Sequence, residues 1–428
     1  MKLAILDPGY KELWGHHHMV NLGISSNLLT KGIETLIFAA RTFAQDNNSG
    51  VNLQKLNINY FFQTPCYKAG IDSLSKSEYS DLVRSFSIEL KALFEGSLLD
   101  DVDAVYLHTC FSFHLQALGE VLKNIKFSTP KTFVISLMFN PSAQVRREIL
   151  NFFDIREYLR YKTAFGFLAK ATKSNKLNIK LATSCKTFQK TYQKLWPQNP
   201  VEIHPAINQR LGLMDHQVLE SPKDRVLLYW GVPKIDKGIE FAATLCEIAS
   251  EKFPKIEFLF QYNPDFPGAP AKFEAPISRL RELSQKHTNI IFKEGYLAPE
   301  TYHSLLNSCK LISILYDPIH YKFKTSGVFW DALLLNKDKW LVSKNTWIAD
   351  ELSELHIPHQ SVEYGSIPSA LSGLNFLLSS ENQPSDYSVA LRNSKSNYLN
   401  LLTSSFSDWL LSKFDDRVGK NEEALACA

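Results

Sequence analysis

The sequence of 428 residues lacks the features that place a chain across a membrane or on nucleic acid. It contains no run of about 18 uninterrupted apolar residues, so no membrane-spanning helix is expected. The formal net charge is only +3, which is too small to indicate nucleic acid as the main partner. The six cysteines are scattered and form no C-x-x-C pair, a pattern that favours a reducing compartment. We therefore expect a cytoplasmic protein without a signal peptide, since the apolar N-terminal stretch already ends at Leu6.

The composition is that of a folded globular protein, with 45% hydrophobic, 21% charged and 12% aromatic residues. Its length predicts two domains. Lysines are concentrated between Arg156 and Lys194. Such a run usually forms a solvated face, and the alternative is peripheral contact with an anionic membrane or a phosphorylated substrate.

Short apolar runs alternate with helical patterns through both halves of the chain, which predicts parallel sheets covered by helices. The alternation breaks into polar residues between Leu211 and Lys223, where a hinge is predicted. The fold class is therefore α/β with two doubly wound, Rossmann-like domains. The predicted boundaries are 1–215 and 222–385, followed by C-terminal helices at 386–416 that return to the first domain.

The stretch from Leu311 to Leu352 carries a candidate anion site. A buried strand ends near Tyr316, and Ser326-Gly327 then opens a helix. The first turn of a helix presents unpaired backbone N–H groups and the positive end of the dipole, so it favours a diphosphate. The alternative is an ordinary helix start that binds nothing.

Histidines follow two predicted strands of the first half, in the run His16 to His18 and at His108. The carboxyl ends of parallel strands gather ligands, so His108 or a member of His16 to His18 could act as a base or orient an acceptor. We expect no metal, because three consecutive histidines cannot all face one ion and no second cluster completes a site.

Three segments of the second half resemble the retaining family-4 glycosyltransferases, which have the GT-B fold. Gly231 followed by Lys237-Gly238 is similar to the family's glycine and lysine loop. Residues 290–306 are similar to its following strand and helix, and 325–332 to its glycine turn and acidic helix. The resemblance implies two domains that face each other across a cleft and a C-terminal helix that crosses back to the first domain. It also implies a retaining, metal-independent transfer from a nucleotide-sugar donor to a glycan, lipid-linked or small-molecule acceptor, as in polysaccharide biosynthesis.

The resemblance also assigns roles to single residues. Lys237 would neutralise the diphosphate, Asp331 would bind the ribose hydroxyls, and Tyr296 would lie near the base. The catalytic candidates are His108, His16 and Lys237. The complete set of predicted donor-binding residues is Gly231, Lys234, Lys237, Tyr296, Lys322, Lys324, Ser326, Gly327, Val328 and Asp331.

Two features depart from the family pattern. Val232 replaces the loop arginine, and the first residue of the acidic pair falls among Lys322, Phe323 and Lys324. Two alternatives therefore stay open: a non-catalytic GT-B protein that binds a nucleotide sugar or a glycan, and a GT-B sugar-nucleotide epimerase.

Overall fold

The computed structural model describes residues 1–13, 15–42, 56–67, 74–138, 156–175, 177–206, 223–263, 273–335, 337, 339–379 and 397–414. The chain divides into two units, Met1–Leu211 with Leu401–Ala428, and Gly212–Asn400. The predicted hinge lies largely outside the described residues. No helix in the described part of the chain is long and apolar enough to cross a bilayer.

The first unit is built on a seven-stranded parallel sheet with the strand order β3-β2-β1-β4-β5-β6-β7. Its strands are β1 (Lys2–Leu6), β2 (Glu34–Ala40), β3 (Ile58–Phe62), β4 (Ala104–Leu107), β5 (Thr132–Leu137), β6 (Asn178–Thr183) and β7 (Val201–Ile203). Its helices are α1 (Gly15–Thr30), α2 (Lys76–Glu95), α3 (Ser112–Leu122), α4 (Arg156–Asn175) and α5 (Lys186–Leu195).

The second unit repeats the plan with a six-stranded parallel sheet in the order β10-β9-β8-β11-β12-β13. Its strands are β8 (Lys223–Gly231), β9 (Glu257–Tyr262), β10 (Ile290–Glu294), β11 (Cys309–Ile314), β12 (Trp340–Ser343) and β13 (His359–Val362). Its helices are α6 (Ile239–Lys252), α7 (Glu274–Lys286), α8 (Pro299–Ser308), α9 (Pro318–Tyr321), α10 (Gly327–Leu334), α11 (Trp347–Glu354) and α12 (Ile367–Ser379). Two parallel α/β units confirm the predicted fold class.

The central strands are continuous apolar runs because helices cover the sheet on both faces. All four residues of β4 are buried, as are Leu3 to Leu6 of β1, and the two strands pair from Leu3 with Ala104 to Leu6 with Leu107. Their carboxyl ends therefore lie side by side.

Two short helices, α13 (Asn397–Thr403) and α14 (Phe406–Ser412), end the described chain. Phe406 and Leu410 of α14 are buried in the core of the first unit. The side chain of Phe406 packs against Tyr106 and His204, with ring centroids 5.8 and 5.5 Å apart. The helical pattern predicted from Tyr387 to Phe414 is interrupted, because the Ser405 hydroxyl accepts from the Asp408 N–H and starts a new helix.

Candidate functional site

Each sheet reverses its strand order at one point, and candidate residues follow the strands at both points. In the first unit the reversal lies between β1 and β4, and in the second between β8 and β11. A crevice opens at such a switch point, outside the carboxyl ends of the strands, and ligands of open α/β sheets bind there.

The loop after β8 brings a lysine back onto the strand end. Gly231 has φ +97°, and a Cβ atom on it would lie 3.3 Å from the Lys237 Nζ atom. This Nζ donates to the Trp230 carbonyl at 3.5 Å. Burial, together with the neighbouring charge of Lys234, lowers the pKa of Lys237 to about 8, although Asp236 acts in the opposite direction. The site thus holds a partly desolvated cation.

The same loop is fixed to the loop after β11, across the switch point. Gly238 has φ +67°, and a Cβ atom there would stand 2.4 Å from the Leu315 carbonyl oxygen, so only glycine allows this approach. The Asp317 N–H donates to the Asp236 carbonyl at 2.9 Å. Lys324 adds a second positive charge, through an ion pair of 3.1 Å with the Asp236 carboxylate.

Helix α10 begins beside this loop. The Ser326 hydroxyl caps it by accepting from the Phe329 N–H at 3.4 Å, and Ser326 is buried. Gly327 is exposed at the first helical position and Val328 is half-buried at the second. The predicted helix start is therefore present, and it directly follows the segment whose Lys324 pairs with Asp236 of the loop after β8.

In the first unit, histidines from α1 meet the strand ends. The His108 Nε2 atom lies 3.0 Å from the His16 Nε2 atom, and its Nδ1 atom lies 3.1 Å from the Tyr106 hydroxyl. His17 contacts Asp7 through Nδ1 at 2.8 Å and the Tyr67 hydroxyl through Nε2 at 2.8 Å. Burial holds the pKa of His108 well below its usual range, although Asp7 acts in the opposite direction.

Asp7 is the centre of this cluster and is completely buried. Its carboxylate accepts from the Asn21 amide at 2.6 Å and from the Gly9 N–H at 3.1 Å. Burial alone would raise the pKa of Asp7, but His17, His108 and the Asn21 hydrogen bond bring it down to about 2. The carboxylate is therefore ionised at neutral pH.

No protein-family model matches the sequence, and no curated protein matches it either. Solved structures do match the fold over nearly the whole chain. The sucrose-phosphate synthase from Thermosynechococcus elongatus has 12% sequence identity and a TM-score of 0.55, with 100% of both chains covered. The α,α-trehalose 6-phosphate synthase from Burkholderia multivorans has 11% identity and a TM-score of 0.60, covering 100% of this chain and 99% of its own. The fold is GT-B.

A further GT-B structure, the E. coli trehalose-6-phosphate protein bound with UDP-2-fluoro glucose, matches with 10% identity and a TM-score of 0.60. It covers 97% of this chain and 99% of its own. These structural neighbours are GT-B glycosyltransferases, and the finer resemblance to family 4 stays a prediction.

The predicted donor-binding residues of the second unit differ in their exposure and in their contacts. Tyr296 follows β10 and is 61% exposed, whereas Asp331 is buried and accepts from the Tyr302 hydroxyl at 2.5 Å. Lys322 is exposed, with its Nζ atom 5.6 Å from the centroid of the adjacent Phe323 ring. The roles predicted for these residues in ribose, base and phosphate binding stay predictions.

Sequence reasoning missed two residues that organise the two sites. Asp7 is one of them, although it directly follows a predicted strand and the strand-end rule applies to it. Gln261, at the end of β9, accepts from the Gly231 N–H at 2.8 Å and donates to the Gly295 carbonyl at 2.9 Å. It ties together two loops whose neighbouring residues were predicted to bind the donor.

Proposed function

We propose that the protein is a glycosyltransferase. The second unit would bind a nucleotide-sugar donor, and the first would hold the hydroxyl group that accepts the sugar. The proposal includes a retaining reaction, binding of the donor without a metal, and a cytoplasmic location. The described cysteines, all free and buried, agree with a reducing compartment.

The observation that carries the proposal is the placement of Lys237. It lies at the switch point of a GT-B second unit, its pKa is lowered by burial, and its loop is fixed to the loop that leads to Ser326 and Gly327. Burial raises the free energy of a charged lysine, so an anionic ligand stabilises such a lysine more than an exposed one. A helix start beside it offers N–H donors to the same anion.

Such a site has a direct chemical use. When a sugar leaves a nucleoside diphosphate, negative charge builds on the departing phosphate oxygen. Fixed lysines and N–H donors stabilise that charge more in the transition state than in the ground state, and this difference accelerates the reaction. Lys237 and Lys324 are the candidates for this role, with Lys234 beside them.

On the acceptor side, the proposal retains His108 and His16 as candidates for base or orienting group. The low pKa of the buried His108 keeps its imidazole neutral at pH 7, which is the state a base requires. The neighbouring structures are named for synthases of phosphorylated sugars, so a sugar phosphate is one acceptor class to test beside glycans and lipid-linked acceptors.

Donor binding is tested by thermal shift with UDP, GDP, ADP, TDP and CMP, each with EDTA and with Mg²⁺. A ligand at about a hundred times its Kd stabilises the protein by roughly 2.7 kcal/mol. We expect one nucleoside diphosphate to raise the Tm in EDTA, and Lys237→Gln to remove that shift. Lys255→Gln is the matched control, because Lys255 is exposed and precedes β9, at the opposite edge of the sheet. No shift with any nucleotide would refute the proposed donor site.

Turnover separates the enzyme from its alternatives. A glycosyltransferase releases nucleoside diphosphate in proportion to the glycoside formed, and retention is read from the anomeric NMR signal of the product. A non-catalytic binder is favoured by the exposed Lys322 at the position of the missing acidic residue, and it would shift in Tm without turnover. An epimerase would convert the donor sugar with no acceptor present.

A further inference from the structure

Three potential metal ligands of the first unit converge where β1, β4 and α1 meet, and a further histidine adjoins one of them. A carboxylate oxygen of Asp7 and ring nitrogens of His17 and His108 all lie within 4.8 Å of one another. The His16 Nε2 atom lies 3.0 Å from the His108 Nε2 atom, and the His17 Nδ1 atom lies 2.8 Å from Asp7. Ligand atoms bound to zinc at about 2 Å stand roughly 3.3 Å apart in a tetrahedron, so the more widely spaced atoms must approach one another by up to about 1.5 Å to bind one ion.

Asp7, His17 and His108 each also make a contact with a second protein group through their other polar atom. Tyr106 contacts the His108 Nδ1 atom at 3.1 Å, and Tyr67 contacts the His17 Nε2 atom at 2.8 Å. The Asn21 amide donates to the second Asp7 oxygen at 2.6 Å. Partners on the far side of each ligand fix ring orientation and tautomer, which is the arrangement that supports metal sites.

The charge of the cluster points in the same direction. Asp7 is completely buried, and a buried carboxylate needs hydrogen-bond donors or a positive partner. The groups that face it are two neutral donors and the imidazoles of His17 and His108. In addition, the Asn21 Oδ1 atom is buried and has no hydrogen-bond partner among the described residues.

We propose that Asp7, His17 and His108 bind a divalent transition metal of the zinc type, and that the His16 ring reorients to supply the fourth ligand. One carboxylate and three imidazoles suit zinc in tetrahedral geometry, and oxygen-preferring ions such as Mg²⁺ are poorly matched to imidazole. The metal would take the place of the hydrogen bond between the His17 Nδ1 atom and the Asp7 carboxylate. The inference goes beyond the proposed function and does not depend on its donor site, because the donor residues lie in the other unit, but in the metal-bound chain it replaces the role of base proposed for His108.

The expectation of a metal-free chain rested on three consecutive histidines being unable to face one ion. That geometric point holds, since His18 turns instead to the Tyr10 hydroxyl at 2.9 Å. The second group of ligands comes from Asp7 and His108. A bound metal would occupy the Nε2 lone pair of His108 and exclude it as the acceptor base.

The experiment uses the full chain without an added histidine tag, stripped with a chelator and then titrated with Zn²⁺ against a chromogenic competitor. We expect one tightly bound Zn²⁺ per chain. Asp7→Asn, His17→Gln and His108→Gln should each weaken binding by more than about a hundredfold, since loss of an outer partner alone costs 10–100-fold. His16→Gln should weaken it less, by about tenfold or more, because three ligands remain.

His18→Gln is the matched control, since it removes one histidine of the same run without touching the cluster. Adventitious chelation by consecutive histidines would be weakened by His18→Gln and would survive Asp7→Asn and His108→Gln, and that pattern would overturn the proposal. Co²⁺ in the unmutated chain provides a second readout that needs no variant. A tetrahedral site gives strong visible d–d absorption, and its absence at one equivalent of Co²⁺ would also overturn the proposal.

The donor thermal shift in EDTA separates this proposal from the proposed function. Loss of metal binding in His108→Gln with an unchanged nucleotide shift supports a metal site in the first unit. An unmutated chain that binds metal but no nucleotide contradicts only the proposed function.

Discussion

The affinity for a nucleoside diphosphate should fall as pH rises through the pKa of Lys237. In the free protein this pKa is about 8, so about nine tenths of the lysine is charged at pH 7 and about one tenth at pH 9. A bound diphosphate favours the charged form and moves the pKa back towards the ordinary value of 10.5. The apparent Kd should therefore rise about tenfold between pH 7 and pH 9, which corresponds to about 1.4 kcal/mol.

The assay is isothermal titration calorimetry with the nucleotide that gives the largest thermal shift, measured in EDTA at pH 7, 8 and 9. Titration at pH 9 in two buffers of different ionisation enthalpy also counts protons. The complex should take up close to one proton, because the free lysine is mostly neutral there and the bound one is charged.

Lys237→Gln sets the baseline for titration of the ligand itself. The variant should bind more weakly at pH 7, and its affinity should change little up to pH 9. Equal pH slopes in the two proteins, or no proton uptake by the unmutated chain, would refute the assignment of Lys237 to the diphosphate.

Three further predictions concern stability. In denaturant unfolding, Gly238→Ala should lower the free energy of unfolding by about 1–3 kcal/mol more than Gly365→Ala does. Both glycines have positive φ, but only the Cβ atom at position 238 would clash with a backbone carbonyl. Equal losses of stability would refute the contact. Burial lowers the pKa of His204 to about 4, below its unfolded value of 6.5, so the free energy of unfolding should fall as pH falls from 6.5 to 4. His204→Gln should reduce that loss by about 3 kcal/mol. Identical pH profiles of the two proteins would contradict this prediction. Phe406→Ala should destabilise the first unit by about 3–5 kcal/mol, because the ring is buried. Phe376 is exposed, so Phe376→Ala should change stability by less than about 0.5 kcal/mol. Equal effects of the two substitutions would show that the Phe406 ring does not hold α14 against the first unit.

Central strands buried on both faces were predictable from the sequence, whereas two of the four edge strands were not. The apolar runs Lys2–Leu6 and Ala104–Leu107, which predict strands, coincide with β1 and β4. The edge strands β3 and β13 were missed, whereas the edge strands β7 and β10 were expected. Only the last residue of β3 and of β13 is buried, so neither segment reads as an apolar run.

The start of α1 shows why the histidine cluster could not be predicted in full. The helical pattern in the sequence starts at about Met19, but the helix begins at Gly15 and includes all three histidines. Consecutive residues of a helix point about 100° apart, so the three rings diverge. Which ring meets Asp7 and which meets His108 depends on how the helix packs on the sheet, and the local pattern carries no information on that packing.

The two candidate sites keep opposite charges at equivalent places in the two sheets. Lys237 follows β8 and is held as a partly desolvated cation, whereas Asp7 follows β1 and is held as a buried anion. Each charge opposes folding unless a partner compensates it, because transfer out of water disfavours the charged form. At Lys237 the charge is compensated incompletely, because a second lysine, Lys234, lies nearby. At Asp7 the charge is compensated by the neighbouring imidazoles. A ligand of opposite sign would relieve both, an anion in the second unit and a metal cation in the first, so each should raise the stability of its own unit without the other.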